Sequence, residues 1–396
     1  MLVQASLVVA NTLLVHYSRW IEFLGGDVRE VGLIIGAGSI LGVLTRPWIG
    51  QWINRLGAKN TWALGFMIFG IGAAANLLLD ELTWFIYIVR SCLALGPAIA
   101  FTSSITYVTQ TTPTSRRTEA LGIIGAAGFL GMFVGPQIGD MLVGSAERSH
   151  DDFKLLFLLT TFAALIPFAM LSMLRQPDVP AEKTPVGLQA FLRLVKKYWP
   201  GSILLLNITF GATVTVPLVF IATYIDEKQL FMPWQKNVPW LSTVTVFFFF
   251  YAIWGMSVRI TLRRLPERIG RRKVAIIGLL ILAVGLLCYG PVSSQNPLLI
   301  IIPALICGTG HALAYHPITA LALERFPDQV RGTATALCLM MNDIGLICGA
   351  PLLGLIADNY GFDWLFRTLS LACFTVSGMY AVASIPVWRQ QVISDG

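Results

Sequence analysis

Residues 259–273 read RITLRRLPERIGRRK, seven cationic side chains against one acid, Glu267, set between two long apolar runs. So dense a charge cannot enter a bilayer core and is expected to stay at the cytoplasmic face, where Lys and Arg accumulate. A weaker copy, GQWINRLGAKN at residues 50–60, lies some two hundred positions earlier, and its Arg55, Gly57 and Lys59 match Arg268, Gly270 and Arg272 at one constant offset. The pair points to a membrane topology and to an internal duplication.

The composition agrees. The 396 residues are 56% hydrophobic and 12% charged, with a mean hydropathy of +0.71, whereas a soluble domain carries about 25% charged residues. That apolar surplus calls for lipid as solvent. The net charge of +7 would suggest nucleic acid for a soluble protein; here it suits loops held at an anionic leaflet, and no nucleic-acid partner is expected. All six cysteines fall inside apolar runs without C-x-x-C spacing, which disfavours disulfide and zinc frameworks. No phosphate loop, metal-ligand cluster or nucleophile motif stands on a polar stretch, so neither an enzyme nor a cofactor or metal is expected. The first apolar run begins at Leu2 without a basic leader and reads as a retained span.

A span needs about 20 mostly apolar residues. Twelve runs qualify, near 2–24, 31–53, 61–79, 83–110, 119–143, 153–174, 200–224, 240–262, 273–293, 297–323, 331–357 and 364–387. Placing alternate loops on one side gathers 19 Lys and Arg there and leaves six opposite, with Arg19, Arg46 and Arg90 inside spans. The asymmetry predicts a multi-pass protein of the cell (inner) membrane with both termini cytoplasmic. The one long polar connection, 175–199, divides the chain into halves of six spans, 1–174 and 200–396. Its later part sets Leu188, Phe191, Leu192, Val195 and Trp199 against Arg193, Lys196 and Lys197 at helical spacing, the pattern of a helix lying on the membrane surface. Pro113, Arg117, Gly131 and Gly135 recur as Pro327, Arg331, Gly345 and Gly349, each 214 positions on. Parallel six-span repeats are a transporter architecture, with the site near the midplane.

These features resemble the major facilitator superfamily over essentially the whole length. The family's G-x-x-x-D-R-x-G-R-R signature is matched by Gly50, Asn54, Arg55, Gly57, Ala58 and Lys59, with Asn54 in place of the acid and Ala58 in place of a base. The second copy keeps Glu267, Arg268, Gly270, Arg271 and Arg272 but has Arg263 for the leading Gly. In the family this acid helps hold the cytoplasmic side closed. Span five carries Gly131, Gly135, Pro136 and Gly139, matching the G-x-x-x-G-P-x-x-G motif of the drug:proton antiporter branch. The physics stands beside the name: Gly at i and i+4 admits a close helix neighbour, and Pro136 removes a backbone donor. Span four keeps Arg90 and Gly96 of the family's R-x-x-Q-G region but has Leu93 and Ala94 where Gln and Gly would stand. The resemblance implies an all-α polytopic membrane protein of twelve transmembrane helices, two six-helix bundles related by a pseudo-twofold repeat, with spans one, four, seven and ten lining a cavity.

An ionisable group at a helix centre costs roughly 2.5–3.5 kcal/mol on insertion scales and so needs a partner or a wet cavity. Asn11, Thr12, His16 and Arg19 in span one, Arg90 in span four, Asn207 in span seven and His311, Tyr315 and His316 in span ten are the candidate substrate-binding residues. Ordinary packing competes at each: Arg19 or Arg90 paired with Glu22, a histidine bonded between helices. Asp343 lies twelve residues beyond Arg331, about 18 Å along a helix, close to mid-bilayer. It is the first candidate proton carrier, with Glu22 and Arg90 as possible coupling partners, and a protonated structural Asp as the bland alternative. Arg46, next to Pro47, reads as structural. The expected function is proton-coupled efflux of a small amphipathic or drug-like molecule by alternating access. Import or facilitated movement of an anionic small metabolite on the same fold is the alternative, and a non-transporting membrane sensor on that scaffold is the third. The expected partners are that small molecule, protons and the lipid bilayer, with the protein a monomer.

Overall fold

The computed structural model describes residues 2–26, 28–143, 149–177, 186–235 and 242–395, with seventeen α-helices among them and no strand beyond an isolated bridge between Ser293 and Asn296. Each predicted span coincides with a helix or a broken helix. In the first half these are α1 (Leu2–Leu13) and α2 (Tyr17–Phe23), α3 (Val28–Leu44) and α4 (Arg46–Leu56), α5 (Ala58–Ala75), α6 (Phe85–Thr111), α7 (Arg117–Val143) and α8 (His150–Leu171). After the short α9 (Leu188–Lys197), the second half has α10 (Ile203–Thr215) and α11 (Ile221–Glu227), α12 (Thr243–Thr261), the one-turn α13 (Leu265–Ile269), α14 (Arg271–Leu287), α15 (Ile301–Leu323), α16 (Arg331–Tyr360) and α17 (Phe362–Asp395). Among the described residues nine helices are long and apolar enough to cross a membrane, ten with the pair Leu33–Leu44 and Arg46–Leu56, which meet at 49°.

Three spans expected to be continuous are interrupted. A 3-10 turn, Leu14–His16, separates α1 from α2. The bend between α3 and α4 falls at Thr45, just before Pro47, whose ring cannot donate to the preceding turn. A π-turn, Val216–Phe220, holds Pro217 between α10 and α11. The two basic loops share a different device: Gly57 (φ 84°) and Gly270 (φ 100°) adopt the left-handed backbone that ends α4 and α13 and lets α5 and α14 begin at once. The local chemistry of a tight joint is therefore duplicated with the sequence.

The chain forms two compact units: unit 1 (1–114, 127–198 and 326–339) and unit 2 (115–126, 199–325 and 340–396). They follow the sequence halves except that the first turns of α7 belong to unit 2 and those of α16 to unit 1. The core of unit 1 packs Trp20 against Phe23, Phe153 and Phe157, and unit 2 gathers Tyr224, Tyr289, Phe362 and Phe366. The Tyr224 hydroxyl donates to the Tyr289 carbonyl at 2.9 Å, so the polar tip of a buried ring is satisfied. Outward faces are apolar too: on α8, Phe162, Leu165 and Ile166 are exposed, as lipid contact requires. On α9, Phe191 and Val195 turn inward while Leu188 and Leu192 stay exposed with the cations, as does Trp199 just beyond its end. Gln51 ties its start to unit 1, accepting from Gly187 N at 2.6 Å and donating to Gly187 O at 2.9 Å.

Candidate functional site

In unit 1 the span-one stripe meets the span-five glycines rung by rung. A Cβ built on Gly131 would strike Val8, one on Gly135 would strike Thr12, and one on Gly139 would strike His16. The Thr12 hydroxyl lies 2.7 Å from the Val8 carbonyl and 2.8 Å from the Gly131 carbonyl, both acceptors. Arg19 Nη1 donates to the Val143 carbonyl at 3.3 Å. Thr12, His16 and Arg19 thus knit α1 and α2 to α7, and the buried His16 sits in that seam. Asn11, beside them, is half-buried. Pro136 continues α7, but its side chain lies outside the described set, as does that of Asp140. The echo in span eleven works the same way in unit 2, where Gly345 abuts Ile208, Gly349 abuts Ala212, and Gly211 abuts the Asn342 backbone.

Arg90, on α6, holds its guanidinium 5.2 Å from the centre of the Tyr17 ring, a cation–π distance. Tyr17 in turn donates to Asn76 Oδ1 at 2.9 Å. Glu22 is exposed at the end of α2, and no ion pair joins it to Arg90 among the described residues. The pairing that competed with a binding role for Arg90 is not made.

Unit 2 assembles a denser cluster on α10, α12 and α15. Tyr251 Oη and His311 Nδ1 are hydrogen-bonded at 2.6 Å. Phe210 meets His311 edge-on at 5.0 Å and stacks on Tyr315 at 5.4 Å, and Tyr315 meets His316 at 4.9 Å. Arg259 Nη2 donates to the His311 carbonyl at 3.3 Å. Sequence reasoning placed Arg259 in the basic loop; the structure corrects this, burying it to 5% exposure in the last turns of α12. The missed signal was Tyr251, Gly255 and Arg259 at four-residue spacing, one face of a helix. Phe210 and Tyr251 were missed as well, Phe210 as an ordinary aromatic in an apolar span and Tyr251 as the last of a run of aromatics. Asn207 is fully buried on α10, and Asp343 is half-buried on α16.

The two basic signatures do matching work. Asn54 accepts from the Gly332 N–H at 2.9 Å and donates to Thr333 Oγ1 at 2.8 Å, capping the first turn of α16. Gly50 makes the approach possible, since a Cβ there would lie 2.8 Å from that of Ala336. Glu267 accepts from the Thr118 N–H at 3.1 Å, in the first turn of α7, and pairs with Arg271 at 3.0 Å. Nearby, Glu119 binds Arg263 at 3.1 Å and Arg264 at 3.2 Å. Lys59 donates to the Ser172 and Leu174 carbonyls, whereas Arg55 and Arg268 are exposed. One clamp is neutral and the other charged, although both seat a side chain from a short helix, α4 or α13, on the N-terminus of another helix, where backbone donors are open.

A family model described as Major Facilitator Superfamily matches residues 2–266 and 260–389. The chain is 22% identical over 373 residues to the chromaffin granule amine transporter of Rattus norvegicus, covering 91% of this chain and 66% of that protein, just under two thirds of its length. It is 23% identical over 360 residues to the staphylopine export protein of Staphylococcus aureus (strain Mu50), covering 87% of this chain and 84% of the other. The solved structure of the Escherichia coli fucose:proton symporter FucP superposes with a TM-score of 0.75 at 17% identity, covering 96% of this chain and 97% of that one. At that identity the likeness speaks to the fold, twelve transmembrane helices in two six-helix halves.

Proposed function

The chain belongs to the Major Facilitator Superfamily, and on that premise we propose that it is a secondary transporter exporting a small amphipathic molecule in exchange for protons. Alternating access would use the two sequence halves, residues 1–174 and 200–396, joined by 175–199. The observation that carries this is the unit 2 cluster, in which the rings of Phe210, Tyr251 and Tyr315 surround a hydrogen-bonded imidazole, His311. Aromatic faces with polar tips suit a ligand that is apolar on one side and polar on the other. The amine transporter and the staphylopine exporter among its relatives support that class of cargo. Asp343 is the proposed proton carrier, being a half-buried carboxylate within the apolar helix α16, a placement that is costly in a membrane and marks ion and proton pathways. Both termini and the basic loops are proposed to face the cytoplasm of a cell (inner) membrane.

The test is flux in proteoliposomes under an imposed pH gradient, with a lipophilic amine as cargo. Wild type should use the pH gradient to accumulate it against its own concentration gradient beyond the level in protein-free vesicles, and Asp343→Asn should not; flux indifferent to both gradient and substitution sinks the coupling. A second reading, passage of an anionic metabolite, draws on Arg90, whose guanidinium rests on Tyr17 rather than on a carboxylate. Anion flux in the same vesicles that vanishes in Arg90→Ala would favour it.

A further inference from the structure

Where the start of α7, the end of α12 and α15 meet inside unit 2, they line an open-sided pocket with a space of about 20 Å³, room for roughly one water-sized occupant. Three of its lining residues are polar and more than nine-tenths buried: Thr118, Arg259 and His316, at 2%, 5% and 5% exposure. Neither ring nitrogen of His316 nor the Thr118 hydroxyl has a hydrogen-bond partner among the described residues. Buried polar atoms are nearly always satisfied, so three orphans around one cavity need a common explanation. Gly125 adds to the design, since a Cβ there would strike both His316 and Arg259; its absence lets the ring and the guanidinium lie against α7.

The donor balance says what fits. A guanidinium only donates, an imidazole always offers at least one N–H, and a hydroxyl can donate. No carboxylate lines the cavity, and its other cation, Arg263, is already held by Glu119. We propose that this cavity is a built site for a monatomic anion of the chloride or bromide class, bound by the Arg259 guanidinium, the His316 imidazole and the Thr118 hydroxyl. A negative occupant is favoured beside a guanidinium, where a low effective dielectric strengthens the attraction.

The internal repeat supplies a comparison within the same chain. Arg46 stands 213 positions before Arg259, Ala98 before His311, Thr102 before Tyr315 and Ser103 before His316. In unit 1 Arg46 donates to the Ala98 carbonyl at 3.1 Å, as Arg259 does to that of His311, and also to Thr102 Oγ1 at 2.7 Å. Gly332 and Ala336 stand where Thr118 and Gly122 do, and they pack directly on Gly50, the counterpart of Arg263. The first copy is closed by helix contact; the second has exchanged small side chains for His316, Thr118 and Arg263 and opened an anion-sized space. The site also lies beside the Glu267–Thr118 clamp, so its occupant would tie the start of α7 to α12 and α15.

The inference is independent of cargo and coupling, and its test needs no transport. Crystals of the full-length protein grown with sodium bromide should give an anomalous peak within hydrogen-bonding distance of Thr118, Arg259 and His316. In detergent, the melting temperature should rise by a few degrees as chloride or bromide replaces gluconate at constant ionic strength, and Thr118→Val should lose most of that rise. No anomalous peak, or water alone in the cavity, overturns the proposal. So does a halide response undiminished in Thr118→Val.

Discussion

Asn54→Ala removes the neutral clamp, and the structure sets the size of the effect. The side chain makes two buried hydrogen bonds, to the Gly332 N–H at 2.9 Å and to Thr333 Oγ1 at 2.8 Å, with Asn54 itself 6% exposed and Thr333 fully buried. Losing the bond to Thr333 Oγ1 costs about 1 kcal/mol net, and stranding the buried Gly332 N–H costs about 1–3 kcal/mol, so the loss is about 2–4 kcal/mol. If the clamp exists only in the conformation described, that conformation becomes less populated by roughly 30- to 700-fold, at 1.4 kcal/mol per factor of ten. Cys338 reports the change: it lies on α16 five residues beyond Thr333 and is 1% exposed. With the other five cysteines replaced by serine, maleimide labelling of Cys338 should accelerate in Asn54→Ala. Asn54→Asp should not accelerate it, because a carboxylate still accepts from Gly332 N and gains about 0.3–1 kcal/mol at a helix N-terminus. Labelling of a folded Asn54→Ala protein at the wild-type rate would refute the clamp.

The other outcomes follow from packing and screening. Gly135→Ala places a Cβ 2.8 Å from that of Thr12 and should cost about 1–3 kcal/mol as overpacking, seen as a lower melting temperature. Gly128→Ala, with nothing within 4 Å of its Cβ, should be neutral or stabilising by up to about 1 kcal/mol, since Ala is the better helix former. Glu119→Gln breaks the ion pairs to Arg263 and Arg264, whose side chains are 38% and 54% exposed; the cost should stay near 1 kcal/mol or below. That melting difference should shrink toward zero at about 1 M salt, where the screening length falls to about 3 Å.

Spans, basic loops, the amphipathic α9 and the repeat were legible in the chain because each depends on residues close in sequence: an apolar run long enough for a bilayer, a charge cluster that cannot enter it, a constant offset. The candidate site was only partly legible. His311 and Tyr315 did fall together, but the partners that define their surroundings, Phe210, Tyr251 and Arg259, come from other helices, and only the four-residue spacing of Tyr251, Gly255 and Arg259 marks any of them in sequence. The stripe of Thr12, His16 and Arg19 shares one helical face, as its spacing required. Its orientation toward the glycines of α7 was settled only when two helices chose a mutual rotation.

By itself, the sequence determined that this chain lives in lipid, how often it crosses and that it was built twice, since transfer free energy acts on each segment alone. Tertiary structure decided which polar groups are spent as glue between helices and which are left facing a cavity, as at Arg46 and Arg259. A helix has one azimuth, and only its neighbours can fix it.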